Sequence, residues 1–421
     1  MHILFLTDNF PPEVNAPASR TFEHCREWVK AGRDVTVITC VPNFPKGVVY
    51  EGYRNRLWQT EIMDGIRVVR VGSYITANEG FALRILDYTS YMAAAAAAAP
   101  FVRKVDLVIG TSPHFFTACA AYAISRMKRV PFVFELRDLW PESIKAVGAI
   151  RDGFMLRLLE CIELFLYRKA ARIVTLTKAF KATLIARGIE PGKIETVTNG
   201  VDTDRFKPYA KDPELVARYG LEGKFVAGYI GTHGLAHGLS TVLAAAAHIR
   251  KQPRGDDYRF LFLGHGAMKS ALVSEANDLR LENVVFVDSV PKSEVARHWA
   301  LLDASNVHLR KVALFTTVVP SKLFESMGMG IPVLLGVGGE AAEIVKRERI
   351  GLVFEPENAE ALCGVLTHLA RSHDLREQFR SNCLAAAAHY DRRTLALRML
   401  AILDATVAQS PNRLVAAPGE R

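Results

Sequence analysis

The 421-residue chain is half hydrophobic and 23% charged, a composition that excludes a disordered or fibrous protein and is long enough to bury two cores. Its net charge of +9 is uneven: residues 1–200 hold 26 lysines and arginines against 19 acidic residues and the remainder 27 against 25, so the first half suits an anionic membrane or a phosphorylated substrate. There is no basic-aromatic run of a nucleic-acid reader, and the six scattered cysteines show no C-x-x-C pair and no histidine at ligand spacing, which argues against disulfides and zinc.

The opening "MHILFLTDNFPPE" enters a strand without the charged and apolar regions of a secretion signal, which predicts a cytoplasmic protein. "HILFLT" (2–7), "DVTVIT" (34–39), "IRVVRV" (66–71), "DLVIGT" (106–111), "FVFEL" (132–136) and "RIVTLT" (172–177) are β-branched runs bounded by turn signals, as buried parallel strands are. Between them, "YMAAAAAAAPFV" (91–102) is too short for the ~20 residues of a spanning helix. Regions 79–104 and 152–173 set apolar stripes beside arginine and lysine. Such stripes are more often core than membrane face, yet with the basic charge they predict a peripheral site on an anionic inner leaflet.

After the connector "VTNGVDTDRFKP" (197–208) the alternation resumes with "KFVAGYIGT" (224–232), "YRFLFLG" (258–264), "VVFVDSV" (284–290), "ASNVHL" (304–309), "IPVLLG" (331–336) and "GLVFEP" (351–356). The pattern predicts an α/β fold of two Rossmann-like, doubly wound parallel-sheet domains. Residues 1–200, joined by a final helix within 391–410, form the first and residues 201–390 the second, with ligands at the strand carboxyl ends and a shared substrate in the cleft between them.

The first crossover, "DNFPPEVNAPASR", contains no glycine, which speaks against a dinucleotide-binding G-x-G-x-x-G, and no Walker-type loop follows any strand. In "GYIGTHGLAHGL" (228–239), by contrast, Gly231, Gly234 and Gly238 lie between a strand and a helix, where bare backbone and helix-start amides favour a diphosphate. A purely structural loop explains them equally well. "LGHGAMKSAL" (263–272) adds Gly264 and Lys269, the lysine reading either as a phosphate partner or as a solvated helix-start residue. In "SKLFESMGMGIPVLLG" (321–336), Glu325 is a lone carboxylate in an apolar helix-to-strand passage.

These segments, with "PNFPKG" (42–47), "ELRDLWPES" (135–143), "TNGVDTDRF" (198–206), "PSKLFESMGMGIPVL" (320–334) and "GVGGEAAEIV" (336–345), resemble family 4 glycosyltransferases of the GT-B fold over nearly the whole chain. Within that family they are similar to the WbuB-like branch of O-antigen, capsule and colanic acid assembly. The resemblance implies a retaining transfer of a sugar, N-acetyl-L-fucosamine or fucose in this branch, with no cofactor or metal ion. The donor would be a nucleotide sugar, UDP-linked rather than GDP-linked, and the acceptor a polyprenyl-diphosphate-linked saccharide.

It further implies that Glu325 accepts hydrogen bonds from the donor ribose. The amides of Ser321 and Lys322 would meet the diphosphate at a helix start, unless Ser321 is only an N-cap. Glu340 completes the implied donor set. The sequence departs from the family at Thr317, where a second glutamate is usual. It departs again at Thr232, His233 and His237, which replace an arginine and a lysine of the first donor-domain loop and leave Arg310 and Lys311 as the candidates to meet diphosphate charge. In the first domain, Asn15 and Ala16 stand in place of paired glycines, and Arg20 and Glu135 join them as acceptor-side residues. His114 is near the family's donor-sugar histidine. Asp138 is the candidate to orient the acceptor hydroxyl, with Glu135 and a structural pairing to Arg137 as the competing reading. Two other classes remain open from sequence, a nucleotide-sugar epimerase of the same fold and a non-catalytic nucleotide-sugar-binding protein.

Overall fold

Runs of valine, isoleucine, leucine and phenylalanine buried on both faces can be satisfied only as central strands covered by helices. The computed structural model describes residues 1–44, 47–76, 81–112, 115–139 and 153–410; His114 lies outside them. The chain divides into two units, Met1–Thr198 with the described residues from Arg393 onward, and Asn199–Arg392.

In the first unit the strands are β1 (His2–Leu6), β2 (Asp34–Cys40), β3 (Trp58–Met63), β4 (Ile66–Val71), β5 (Leu107–Thr111), β6 (Phe132–Leu136), β7 (Arg172–Thr175) and β8 (Ile194–Thr196), in the order β3-β4-β2-β1-β5-β6-β7-β8. All pairings are parallel except β3 with β4. The β3–β4 turn is Asp64-Gly65, both with positive φ (49° and 81°), the conformation a two-residue hairpin requires. The order reverses between β1 and β5, so the chain segments after those two strands diverge and leave room for a ligand. The final helix, Arg392–Ala408, packs Leu395, Met399, Leu400 and Leu403 into the core of this sheet. Trp28, fully buried on the helix Ala16–Lys30, donates its indole N–H to the Ala396 carbonyl at 2.8 Å.

The second unit contains β9 (Phe225–Ile230), β10 (Tyr258–Leu263), β11 (Val284–Val287), β12 (Ala304–His308), β13 (Val333–Gly336) and β14 (Gly351–Val353), all parallel in the order β11-β10-β9-β12-β13-β14. This is the dinucleotide-fold order with its switch point between β9 and β12. Among the described residues no helix is long and apolar enough to cross a membrane.

A buried ion pair fixes the carboxyl-end region of the first sheet. Arg20 and Glu135, at the end of β6, are 4% and 1% exposed, with Arg20 Nε 3.1 Å from Glu135 Oε1. The same guanidinium donates to the carbonyls of Thr198 (2.8 Å) and Val197 (3.1 Å), tying down the chain as it leaves β8. These two residues, expected at the acceptor, instead lie in the interior, where a charge persists only if paired. Arg20 is hydrogen-bonded to Glu135, and Arg137 and the Thr111 hydroxyl also act on that carboxylate. Burial alone would raise the Glu135 pKa, but Arg20 and then Arg137 outweigh it and hold the pKa below the usual carboxylate value.

Arg20→Met should therefore cost about 3–5 kcal/mol, because it strands a buried carboxylate, and the double variant with Glu135→Gln should recover much of that loss. A depressed carboxylate stabilises above its unfolded pKa and ceases to as pH falls through its folded pKa. Urea unfolding at neutral pH should thus separate wild type from Arg20→Met widely, and the gap should narrow in acid. Equal midpoints at neutral pH would refute the assignment.

Candidate active site

The carboxyl ends of β9 and β12, at the second sheet's switch point, gather most of the donor-side candidates. β9 runs into Gly231-Thr232-His233-Gly234, and β10 into Gly264-His265-Gly266. Gly231 and Gly264 have φ of 138° and 143°, which only glycine adopts without strain. A Cβ on Gly264 would collide with the Gly231 carbonyl, and one on Gly266 with the His233 carbonyl. The two loops are stitched by Gly231 N–H to Leu263 O (2.9 Å), His233 N–H to His265 O (3.0 Å) and Met268 N–H to His233 O (2.9 Å). The room that Gly264 provides is thus filled by the protein's own backbone, which corrects the expectation that it faces a ligand. Gly234 remains more open, with no atom nearer than 3.6 Å to where its Cβ would be.

Lys269 is also committed internally. Its ammonium donates to Gly264 O (3.0 Å) and Asp288 Oδ1 (2.5 Å), joining the ends of β10 and β11. His233 is fully buried, its ring beside those of Tyr229, Phe262 and Phe286 at 5.8, 6.3 and 6.5 Å, with neither ring nitrogen hydrogen-bonded among the described residues. Burial first, then Lys269 and Lys322, pull its pKa down to about 4. His237, on the turn Leu235–His237, is pulled down to about 3 by burial and then by Lys322. Both rings are neutral at physiological pH, so the histidine pair cannot supply the missing positive charge.

Nor do Arg310 and Lys311 supply it. Arg310 Nε lies 3.6 Å from Glu357 Oε1, and Lys311 Nζ 2.6 Å from Glu355 Oε1, with all four side chains at least 40% exposed. The acidic residues that follow β14 have drawn these cations into surface ion pairs, whose strength water limits. In this structure both cations are thus turned to surface acids rather than to the loop.

The helix Ser321–Met329 supplies the remaining groups. Pro320 is its N-cap residue and no side chain caps it, so Ser321 is the first helical residue rather than the cap. The amides of Ser321 and Lys322 are thereby open to an external acceptor. Glu325, half-buried, follows at i+4 and i+3 from these two and so shares their helix face. The Lys322 ammonium stands 4.7 Å above the Tyr229 ring centroid, and a Cβ on Gly231 would lie 3.0 Å from it. Burial lowers its pKa to about 8, with Glu325 pulling the other way. Thr317 turns its hydroxyl back onto Leu314 O at 2.7 Å. Glu340 opens the helix Glu340–Glu348. The side-chain placement of Lys322 was missed in the sequence, although its i, i+3 spacing from Glu325 was there to signal it.

In the first unit, Asn15 caps the Ala16 helix, its Oδ1 accepting the Ala18 amide at 2.9 Å while its amide nitrogen bonds Asn9. Its side chain is held in the loop's own turn, and the Ala16 carbonyl receives Arg137 at 3.4 Å. Ser112, just past β5, accepts the amides of Arg137 (2.8 Å) and Asp138 (3.2 Å), which fixes the backbone carrying the half-buried Asp138 past the end of β6. Sequence reasoning gave Glu13 no role. It is 3% exposed, its Oε1 accepts the Asn43 and Phe44 amides at 2.8 and 2.9 Å, and burial raises its pKa to about 7.

Residues 18–205 match the family model Glycosyltransferase Family 4, and residues 212–384 match Glycosyl transferases group 1. The chain is similar to "Probable glycosyltransferase WbjE" of Pseudomonas aeruginosa, 23% identical over 63% of this chain and 66% of that protein. It is also similar to the GDP-mannose-dependent alpha-(1-6)-phosphatidylinositol monomannoside mannosyltransferase of Mycolicibacterium smegmatis, 28% identical over 46% of this chain and 51% of that protein. The match therefore spans from about half to just under two thirds of these relatives' length. The solved structure of Anabaena Alr3699/HepE in complex with UDP-glucose shares the fold, with a TM-score of 0.69 and 18% identity across 96% of this chain and 100% of that one. With two α/β units in series, a glycosyltransferase match in each half and the fold shared with solved GT-B enzymes, the chain is a glycosyltransferase of the GT-B fold, its first half matching the family 4 model and its second the group 1 model.

Proposed function

We propose that this glycosyltransferase is a retaining, metal-independent enzyme that moves a sugar from a nucleoside diphosphate onto a polyprenyl-diphosphate-linked saccharide during bacterial surface polysaccharide synthesis. The donor is UDP-linked rather than GDP-linked, with N-acetyl-L-fucosamine or fucose as the sugar. The observation that carries the reading is the Ser321 helix: uncapped amides at its start, and a carboxylate one turn on along the same face. Amides at a helix start favour phosphate oxygens, and a carboxylate is a two-oxygen acceptor matched to vicinal hydroxyls. Gly234, Ser321, Lys322 and Glu325 form the donor set, and Glu340 joins it at the start of its own helix. Asp138 is the first unit's candidate to orient the acceptor hydroxyl, with the leaving diphosphate as the base. The group matched by each half is one of glycosyl transfer, which ranks this reading above the epimerase and the binding protein. HepE, whose structure contains UDP-glucose, supports UDP, whereas the mycobacterial relative uses GDP-mannose. The two nucleotides are therefore compared directly in the test.

Glu325→Ala should weaken UDP binding roughly ten- to a hundred-fold, the loss of one or two charge-assisted hydrogen bonds. Calorimetric titration with UDP, GDP and 2′-deoxy-UDP checks this. Tight binding of UDP by the variant, or equal loss of the deoxy analogue, would remove Glu325 from the ribose.

The acceptor side of the proposal places the first unit on the cytoplasmic face of the membrane. The helix Phe154–Lys169 exposes Phe154, Leu158, Cys161 and Phe165 at i, i+4, i+7 and i+11, one continuous stripe, with Arg157, Arg168 and Lys169 also exposed. Beside it, Arg126, Arg129, Lys169 and Arg172 line a recess of about 750 Å³ that has no acidic residue in its wall. An apolar stripe edged by cations matches an anionic bilayer surface. The protein should sediment with phosphatidylglycerol-containing vesicles but not with pure phosphatidylcholine, and the double variant Phe154→Ser/Lys169→Glu should lose most of that binding. Indifference of the wild type to anionic vesicles would sink this placement.

A further inference from the structure

We infer that the side chain of Lys322, reaching across from its helix to the β9 loop, is the cation that grips the donor diphosphate in place of the arginine and lysine this loop lacks. The inference rests on the donor-site reading above and deepens it from backbone amides to a specific side-chain charge.

Position carries the argument. The β9 loop has Thr232 and two histidines where cations are expected, and both rings are held neutral. The other nearby cations are engaged: Lys269 by Asp288 and a carbonyl, Arg310 by Glu357, and Lys311 by Glu355. Lys322 differs from all three. Among the described residues its ammonium makes no hydrogen bond and no close ion pair; the face of Tyr229 is 4.7 Å away and the Glu325 charge acts on it from the same helix. It approaches that loop because Gly231 has no side chain: a Cβ there would meet Lys322 Cε at 2.7 Å and Nζ at 3.0 Å. Gly231 therefore does for Lys322 what a glycine in a phosphate loop does for a ligand, admitting a charged group against bare backbone. The helix-start amides of Ser321 and of Lys322 itself belong to the same turn, so amide dipoles and ammonium converge on one anion.

A half-buried cation with only the Glu325 charge acting on it is costly, and the protein bears that cost in the absence of ligand. Four titratable groups face the ammonium or its surroundings: Glu325 on its own helix, and Tyr229, His233 and His237 from β9 and its loop. Glu325 favours the charged form, the neutral histidines add nothing, and burial dominates, leaving the pKa near about 8. A diphosphate would raise it again, so binding in mild alkali must take up a proton.

The test is calorimetric titration of the full chain and of Lys322→Met with UDP and GDP. The expected result is a roughly ten- to a hundred-fold loss of diphosphate affinity in the variant, with an unliganded melting temperature equal to or above wild type because an unpaired charge is gone. In parallel, wild-type binding at about pH 8.5 in buffers of different ionisation enthalpy should show uptake of roughly three quarters of a proton per nucleotide, the fraction set by a free lysine near about 8. This measurement stands even if the variant fails to fold. Wild-type affinity retained in a folded Lys322→Met, or no proton uptake by wild type, overturns the inference while leaving the donor site in place. Binding of neither nucleotide by the wild type overturns both.

Discussion

The carboxyl-end region of the second sheet depends on one steric constraint, that its first two loops interlock without side chains between them. The Gly231 carbonyl occupies the space a Gly264 Cβ would need, and the His233 carbonyl that of Gly266. Hydrogen bonds between the loops then hold Gly231 at φ 138°. Because the loops lock to each other, the bare face of Gly231 is turned toward the Ser321 helix, and only there can a lysine stem lie flush against main chain. The glycines read as a phosphate cradle thus act one step earlier: they fix the floor against which a charge is set.

What this floor does to charge follows from burial. Tyr229, His233, Phe262 and Phe286 make an aromatic layer under the loop, and a low-dielectric layer disfavours every ionised form near it. The histidines respond by discarding their protons, at about 4 and about 3. Lys322, with an intrinsic pKa some four units higher, falls only to about 8 and remains charged. The same environment therefore silences histidine and spares lysine. A cation brought from the Ser321 helix is compatible with this loop where protonated histidines within it are not.

Much of the fold could be read from the sequence because buried parallel strands declare themselves as runs rich in β-branched residues, as β5 (LVIGT) does with every residue buried and β2 (DVTVITC) with all but its first. β3 escaped because it is an edge strand, "WQTEIM", exposed at alternate positions and polar at half of them, although its Asp64-Gly65 turn was legible. β8, three residues long, carries too little pattern to be seen. Within the site, local features could be read and distant pairings could not. Pro320-Ser321 marks a helix start and Glu325 an odd charge within a few residues. The partners of Lys269, Arg310 and Arg20 lie 19, 47 and 115 positions away, respectively. Sequence shows that a cation exists; only the folded chain shows which cations are already neutralised. For that reason Arg310 and Lys311 stood out beforehand as cations, whereas Lys322 was read for its amide alone.

The first unit holds the backbone at the carboxyl ends of its strands still. Its strongest polar contacts are turned inward: Arg20 to Glu135 and to the carbonyls of Val197 and Thr198, Asn15 to its own helix, and Ser112 to two consecutive amides. Each uses a side chain to immobilise backbone. Asp138 benefits directly, since its amide is fixed by Ser112 and that of Arg137 by the same hydroxyl. A carboxylate on anchored backbone loses less freedom when it meets a substrate hydroxyl than one on a free loop. The buried Arg20–Glu135 pair thus bears on Asp138 through geometry: removing it would release the end of β6 and the backbone that carries this carboxylate.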